Sequence, residues 1–242
     1  MSDELAPMPE DWRRALAIAA HPDDLEWGTA SAVARWTSAG KQVAYLLVTR
    51  GEAGISGMSP ERAGPLREAE QRAAAAAVGV HTVQFLAHRD GVVEYGEPLR
   101  RDLAVAIRRY QPELLITINH RDEWVPGSWN TPDHRAVGRA VLDAATDAGN
   151  ERIFPPAPDE PPPWSGVRWI AVSASPRPSH AVDISGQRDR AIASLVAHHS
   201  YLRSLSDEAP RRWATRLVDE MAGAQAHRFG GRPCRSFELI TH

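Results

Sequence analysis

Short apolar runs, each closed by a polar turn and followed by a helix-forming stretch, constrain this chain more than any other feature. Ala15-Leu16-Ala17-Ile18-Ala19-Ala20 is the first of them. An unbroken apolar run of this length fits a strand buried on both faces. It stops at His21-Pro22-Asp23-Asp24, where proline cannot donate to a ladder and the aspartates favour a helix start. The same pattern predicts strands at residues 15–20, 42–48, 82–86, 113–119, 167–172, 180–184 and 235–240. Helices are expected at 25–38, 60–78, 99–110, 133–148, 186–199 and 207–226. Strands alternating with helices imply right-handed crossovers and a mostly parallel sheet. The predicted class is α/β, a Rossmann-like doubly wound sheet with helices on both faces. Its central strand order would be 3-2-1-4-5, with the first and fourth strands adjacent. Residues 1–242 read as one domain, with a proline-rich excursion near 153–164 and a helical C-terminal part.

Composition removes several function classes. One cysteine, Cys234, excludes an intrachain disulfide and a thiolate-rich metal site, whereas ten histidines leave nitrogen and oxygen sites open. Lys41 is the only lysine, so lysine Schiff-base chemistry has almost no candidate. A net charge of −3 argues against generic nucleic-acid binding. No apolar run approaches the ~20 residues that span a bilayer, and the acidic start of the chain lacks a signal-peptide core. A soluble cytoplasmic protein is expected, and the sequence leaves homo-oligomerisation open.

Two polar clusters fall where such a sheet makes its site, beyond the carboxyl ends of neighbouring strands. His21 and Asp24 follow the first strand. Thr131-Pro132-Asp133-His134 opens the helix after the fourth. His21, Asp24 and His134 offer two imidazoles and one carboxylate, the donor set of an open zinc site with water at a remaining position. Iron(II) is the alternative metal. Asp23 is then free to act as general base on that water. Each cluster also has a plainer reading: Asp23-Asp24 and Asp133 are ordinary helix caps, and His134 an ordinary first-turn residue. Gly51, Gly54 and Gly57 do not fit a dinucleotide fingerprint, so a mobile loop is expected there. Trp124 and Trp129, in the polar loop at 120–132, are placed to stack on a sugar or to pack.

Ala20-His21-Pro22-Asp23-Asp24 resembles the signature of the PIG-L/LmbE-like deacetylases, and Asp133-His134-Arg135-Ala136 their second motif. Thr49 to Gly54, Arg67-Glu68-Ala69-Glu70, Asp90-Gly91 and the segment from Gln187 to Ser200 are similar to further family stretches. The likeness covers roughly residues 15 to 205. It implies zinc-dependent removal of an N-acyl group, typically acetyl, from an amino sugar or its conjugate. It implies His21, Asp24 and His134 as zinc ligands, Asp23 as general base and Arg67 as a contact to substrate hydroxyls or phosphate. Asn130 and Trp129 are the other expected substrate contacts.

One departure stands out. The family's second motif commonly begins with histidine, and this chain has Thr131. Threonine can donate a hydrogen bond but is no acid near neutral pH. Asn130, His120 and His180 are the candidates to take over, or Asp23 serves as both base and acid. The leading expectation is a hydrolase of a small N-acyl sugar substrate, using metal-activated water. The rivals are an amidase of a larger conjugate and a non-catalytic metal-binding module.

Overall fold

The computed structural model describes residues 4–242; Met1, Ser2 and Asp3, at the start of the acidic N-terminal stretch, lie outside the described residues. In chain order the elements are β1 (Ala6–Pro7), β2 (Arg14–Ala19), α1 (Asp24–Gly28), α2 (Ala30–Ser38), β3 (Gln42–Leu47) and α3 (Pro60–Ala77). Then come β4 (Thr82–Phe85), α4 (Glu97–Tyr110), β5 (Leu114–Thr117), β6 (Glu123–Val125), β7 (Ser128–Trp129) and α5 (Pro132–Gly149). The chain closes with β8 (Trp169–Ser173), β9 (His180–Asp183), α6 (Arg188–Val196), α7 (His199–Leu205), α8 (Pro210–Gly223) and β10 (Cys234–Thr241).

Eight strands form one sheet in the order β1-β9-β10-β8-β5-β2-β3-β4. The stretch β8-β5-β2-β3-β4 is parallel throughout, and it realises the expected central order. β10 runs antiparallel between β8 and β9. Ala15 to Ala19 of β2, Val43 to Leu47 of β3 and all of β5 are buried. Helices on both faces exclude water from a parallel sheet, and near-continuous apolar strands are the sequence consequence. α4 and α5 pack on each other and against β2. α2 packs on β3 and β10, with α6 beside it.

Adjacency of β2 and β5 does the positioning. Ala15, Leu16 and Ala17 pair with Leu114, Leu115 and Ile116, so both strands deliver their loops to the same edge of the sheet. α5 then approaches that edge closely. A Cβ on Gly138 would lie 2.7 Å from the His120 Cβ and 2.8 Å from the Ile118 carbonyl oxygen.

The structure refines three expectations. The helix expected at 25–38 is broken at Thr29, whose φ of −139° is not helical; its hydroxyl donates to the Leu25 carbonyl at 2.8 Å. The break lets Gly28 pass the end of β8, where a Cβ would meet the Ser173 hydroxyl at 2.9 Å. The polar loop at 120–132 contains a short antiparallel hairpin, β6–β7. A further helix, α7, fills the interval between the two expected at 186–199 and 207–226. Among the described residues no helix is long and apolar enough to cross a membrane.

Arg108, on α4, is fully buried, and among the described residues no carboxylate hydrogen-bonds its guanidinium. Its nitrogens donate instead to the carbonyls of Asp147, Ala148, Asn150, Ile153 and Phe154, all within 3.1 Å. Those oxygens belong to the end of α5 and the start of the proline-dense segment, where helix carbonyls lack intrahelical donors. Trp164 closes the same segment by donating its indole N–H to the Pro112 carbonyl at 2.8 Å. Replacing Arg108 by methionine keeps the stem but orphans buried acceptors, each worth about 1–3 kcal/mol. Urea denaturation of Arg108→Met should show a loss of about 3 kcal/mol or more. A loss below about 1 kcal/mol would contradict this role.

Candidate metal and catalytic site

His21, Asp24 and His134 converge although two of them are more than a hundred residues from the third in sequence. The His134 Nε2 lies 2.9 Å from the Asp24 Oδ1 and 3.3 Å from the His21 Nδ1. The His21 Nδ1 lies 3.5 Å from the Asp24 Oδ2. Ligand bonds of about 2.0–2.1 Å in a tetrahedron place donors roughly 3.3–3.4 Å apart. The trio therefore has the spacing of a group that could hold a divalent metal.

The outer nitrogen of His21 explains the ring's orientation. Its Nε2 faces the Asp133 Oδ2 and the Asp90 Oδ1, each at 3.1 Å. Asp133 is almost wholly buried and accepts the backbone N–H groups of Gly91 at 2.8 Å and Val93 at 3.0 Å. A carboxylate so held accepts a hydrogen bond from the Nε2–H and leaves the Nδ1 lone pair for a metal. The His21–Asp90–Asp133 cluster shares its histidine with the trio, and this is its orienting side. Burial works against a charged His21, yet Asp24 and the hydrogen bonds to Asp133, Asp24 and Asp90 hold its pKa well above the usual value. Burial likewise opposes charge on Asp24, and His134 and His21 outweigh it, holding its carboxyl far below the usual range.

Asp23 sits beside the trio in left-handed backbone, at φ 87°. This conformation is uncommon but tolerated by aspartate. The Asp23 N–H donates to the Gln71 Oε1 at 2.9 Å, and its carbonyl accepts the N–H groups of Glu26 and Trp27. Its carboxylate accepts the Trp27 indole N–H at 2.6 Å and the Arg67 Nη2 at 2.8 Å. Burial pushes its pKa up to about 6, against the opposing pull of Arg67.

Arg67 is itself buried. It donates to the carbonyls of Gly51 and Pro22 as well as to Asp23, and its guanidinium lies 3.9 Å from the centre of the Tyr201 ring. The glycine-rich loop exists in this form because of it. A Cβ at Gly51 or Gly54 would come within 2.3 Å of Arg67 Nη1, and Gly51 also has positive φ. Those glycines wrap an arginine, where the sequence suggested a mobile loop.

A cavity of about 510 Å³ opens onto the group. His21, Asp23, Asp24, His134, Arg67, Asp90 and Thr131 all line it. Asn130 and Trp129 are placed elsewhere. Asn130 is fully buried, and its amide donates to the carbonyls of Asn119 and Arg121, bracing the loop. Trp129 is 67% exposed, with the Arg135 guanidinium 4.9 Å from its ring centre. Trp124 faces the cavity instead, its ring edge-on to His134 at 5.3 Å between centres. His120 opens on a separate surface depression beside Trp129, and His180 lies on β9 near the Ser179 hydroxyl.

Sequence reasoning missed the polar support beneath Asp23. Gln71 bridges from the Asp23 N–H to the Glu26 carboxylate, with its Nε2 at 3.0 Å from Oε1. Glu26 in turn lies 3.2 Å from the His198 Nε2, both side chains being fully buried. The available signal was a lone glutamine inside the alanine-rich stretch of α3.

The sequence matches the family described as PIG-L, GlcNAc-PI de-N-acetylase, over residues 16–145. The chain belongs to this family. It is 26% identical over 196 residues to the diacetylchitobiose deacetylase of Thermococcus kodakarensis, covering 78% of this chain and 70% of that protein. It is 28% identical to the 1D-myo-inositol 2-acetamido-2-deoxy-alpha-D-glucopyranoside deacetylase of Thermomonospora curvata, covering 91% of this chain and 82% of that one. The structure of N,N'-diacetylchitobiose deacetylase from Pyrococcus horikoshii superposes with a TM-score of 0.84 at 23% identity, covering 95% of this chain and 84% of that chain. It shares the fold. These relatives are deacetylases, and this chain is a hydrolase of their family.

If Asp133 orients His21, then Asp133→Asn should weaken divalent metal binding about 10–100-fold in a chelator competition, the range for loss of such an orienting carboxylate. Unchanged affinity would remove Asp133 from the site. His134→Ala should lose bound metal altogether by elemental analysis.

Proposed function

We propose that this protein is a metal-dependent N-deacetylase that removes an acetyl group from an amino sugar or a small sugar-containing molecule. The observation that carries the reading is the convergence of His21, Asp24 and His134 with the buried carboxyl of Asp23 on one cavity. The amino-sugar substrates in the names of its relatives supply the substrate class. Zinc is the proposed metal, with iron(II) as the alternative. When bound, a divalent ion supplies Lewis acidity at the scissile carbonyl and lowers the pKa of water.

The chain's own residues then have separate duties. Asp23 accepts a proton from the attacking water and returns it to the departing amine nitrogen. Arg67 and Trp27 hold the Asp23 carboxylate in one rotamer for both transfers. Thr131 lies on the cavity wall where the family pattern has a histidine. Its hydroxyl serves as a donor to the developing oxyanion and takes no part in proton return. That assigns both proton steps to Asp23. A second reading, cleavage of a larger conjugate amide, draws on the size of the cavity.

Asp23→Asn should retain its metal by elemental analysis and lose at least about 100-fold in kcat on N-acetylglucosamine derivatives, followed by released amine. Turnover at the parent rate would refute the assignment. Expression in zinc-only or iron-only medium, with metal content and activity read together, decides between the metals.

A further inference from the structure

Tyr201 lines the cavity from the first turns of α7, and among the described residues no protein group hydrogen-bonds its hydroxyl. The rest of the residue is fixed. Its ring centre lies 3.9 Å from the guanidinium carbon of the buried Arg67. Before it in the chain, the Ser200 N–H donates to the Glu70 Oε1 at 2.6 Å. After it, Leu202 is buried in one apolar cluster with Ala214 and Val218 of α8. Stacking on a cation needs only the ring, so the hydroxyl is the part of this side chain left for a ligand. It also stays protonated: burial, with Asp23 adding to it, pushes the Tyr201 pKa up to about 12.

Its position points to one half of the substrate. Arg67, against the ring, holds the Asp23 Oδ1, so Tyr201 stands on the Asp23 side of the cavity. Thr131 and Trp124 stand with His134. Thr131 is at the N-terminus of α5, the helix that carries His134, and Trp124 is edge-on to the His134 ring. In the deacetylase reading Thr131 meets the acyl oxygen and Asp23 returns a proton to the amine nitrogen. The amine half, with the ring carbons beside it, then faces Tyr201. Both terminal nitrogens of Arg67 are engaged by Gly51, Pro22 and Asp23, so the phenol stacked on it is the free donor of the pair.

We propose that the Tyr201 hydroxyl hydrogen-bonds a substrate oxygen on a carbon next to the one bearing the amide, which makes Tyr201 a specificity-determining residue of this site. The proposal rests on the deacetylase reading for the orientation of the amide. It deepens that reading by naming the oxygen that selects the substrate.

Three compounds test it on the zinc-loaded protein: the methyl glycoside of N-acetylglucosamine, its 3-deoxy analogue, and 2-acetamido-1,5-anhydro-2-deoxyglucitol, which lacks the oxygen on the other neighbouring carbon. At least one analogue should fall about tenfold below the full compound in kcat/KM, the scale of one neutral hydrogen bond. In Tyr201→Phe, which keeps the ring on Arg67, that analogue and the full compound should come within about twofold of each other. The analogue that responds locates the oxygen. A disturbance of Arg67 or Asp23 slows all three compounds together and leaves the ratio unmoved. No such loss with either analogue, or a loss that persists in Tyr201→Phe, overturns the proposal and leaves the deacetylase reading standing. If none of the three is hydrolysed, the deacetylase reading fails. Calorimetric affinities of the same compounds for the two zinc-loaded proteins then replace kcat/KM, and the same ratios decide. Absence of binding as well overturns both.

Discussion

His21 directs its Nε2 at two carboxylates, Asp133 and Asp90, and that leaves Nδ1 facing Asp24 and His134. Four stretches of chain meet in this arrangement: the turn after β2, the start of α5, the segment between β4 and α4, and the loop after β3. The last joins through the Ala53 N–H, which donates to Asp90 at 2.8 Å. The parallel pairing of β2 with β5 makes the meeting possible, because it brings the two loops to one edge. Backbone amides of Gly91 and Val93 neutralise Asp133 from behind. A buried carboxylate is tolerable only with such partners.

A second polar layer lies under Asp23. Gln71, Glu26 and His198 are all buried, and each compensates the next. Burial penalises a charged His198, yet Glu26 and Asp23 hold its pKa above the usual value. Arg67 completes the layer from the other side. Polar groups at this depth are expensive unless connected. Their connection restricts Asp23 to one position in a backbone conformation that aspartate seldom adopts.

Much of this was legible in residue order. Apolar runs such as Leu114-Leu115-Ile116 fit strands covered on both faces, and the turns that end them lie where a parallel sheet makes its site. What escaped was set by tertiary contact. Gly28, next to the break at Thr29, packs against Ser173 far along the chain, and no local propensity announces it. Asp133 reads as a helix cap until the amides of residues 91 and 93 are seen to reach it. The choice between Trp124 and Trp129 turned on the hairpin. Glu123 pairs with Trp129, so these two share a face and Trp124 takes the opposite one. A loop reading has no faces, so the more exposed tryptophan looked equally suitable. Asn130 was similar: its neighbourhood suggested a donor to substrate, whereas the hairpin needs its amide for two carbonyls.

Arg108 has a different kind of consequence. It grips the chain from Asp147 to Phe154 entirely through main-chain oxygens. The five carbonyls it holds all precede Pro155, the first proline of the strap, so the grip fixes where that segment sets out. Such a clasp asks nothing of the side chains it holds. The path of the chain is thereby set by its backbone, with side-chain anchors where Asp147 meets Arg100 and Trp164 meets Pro112.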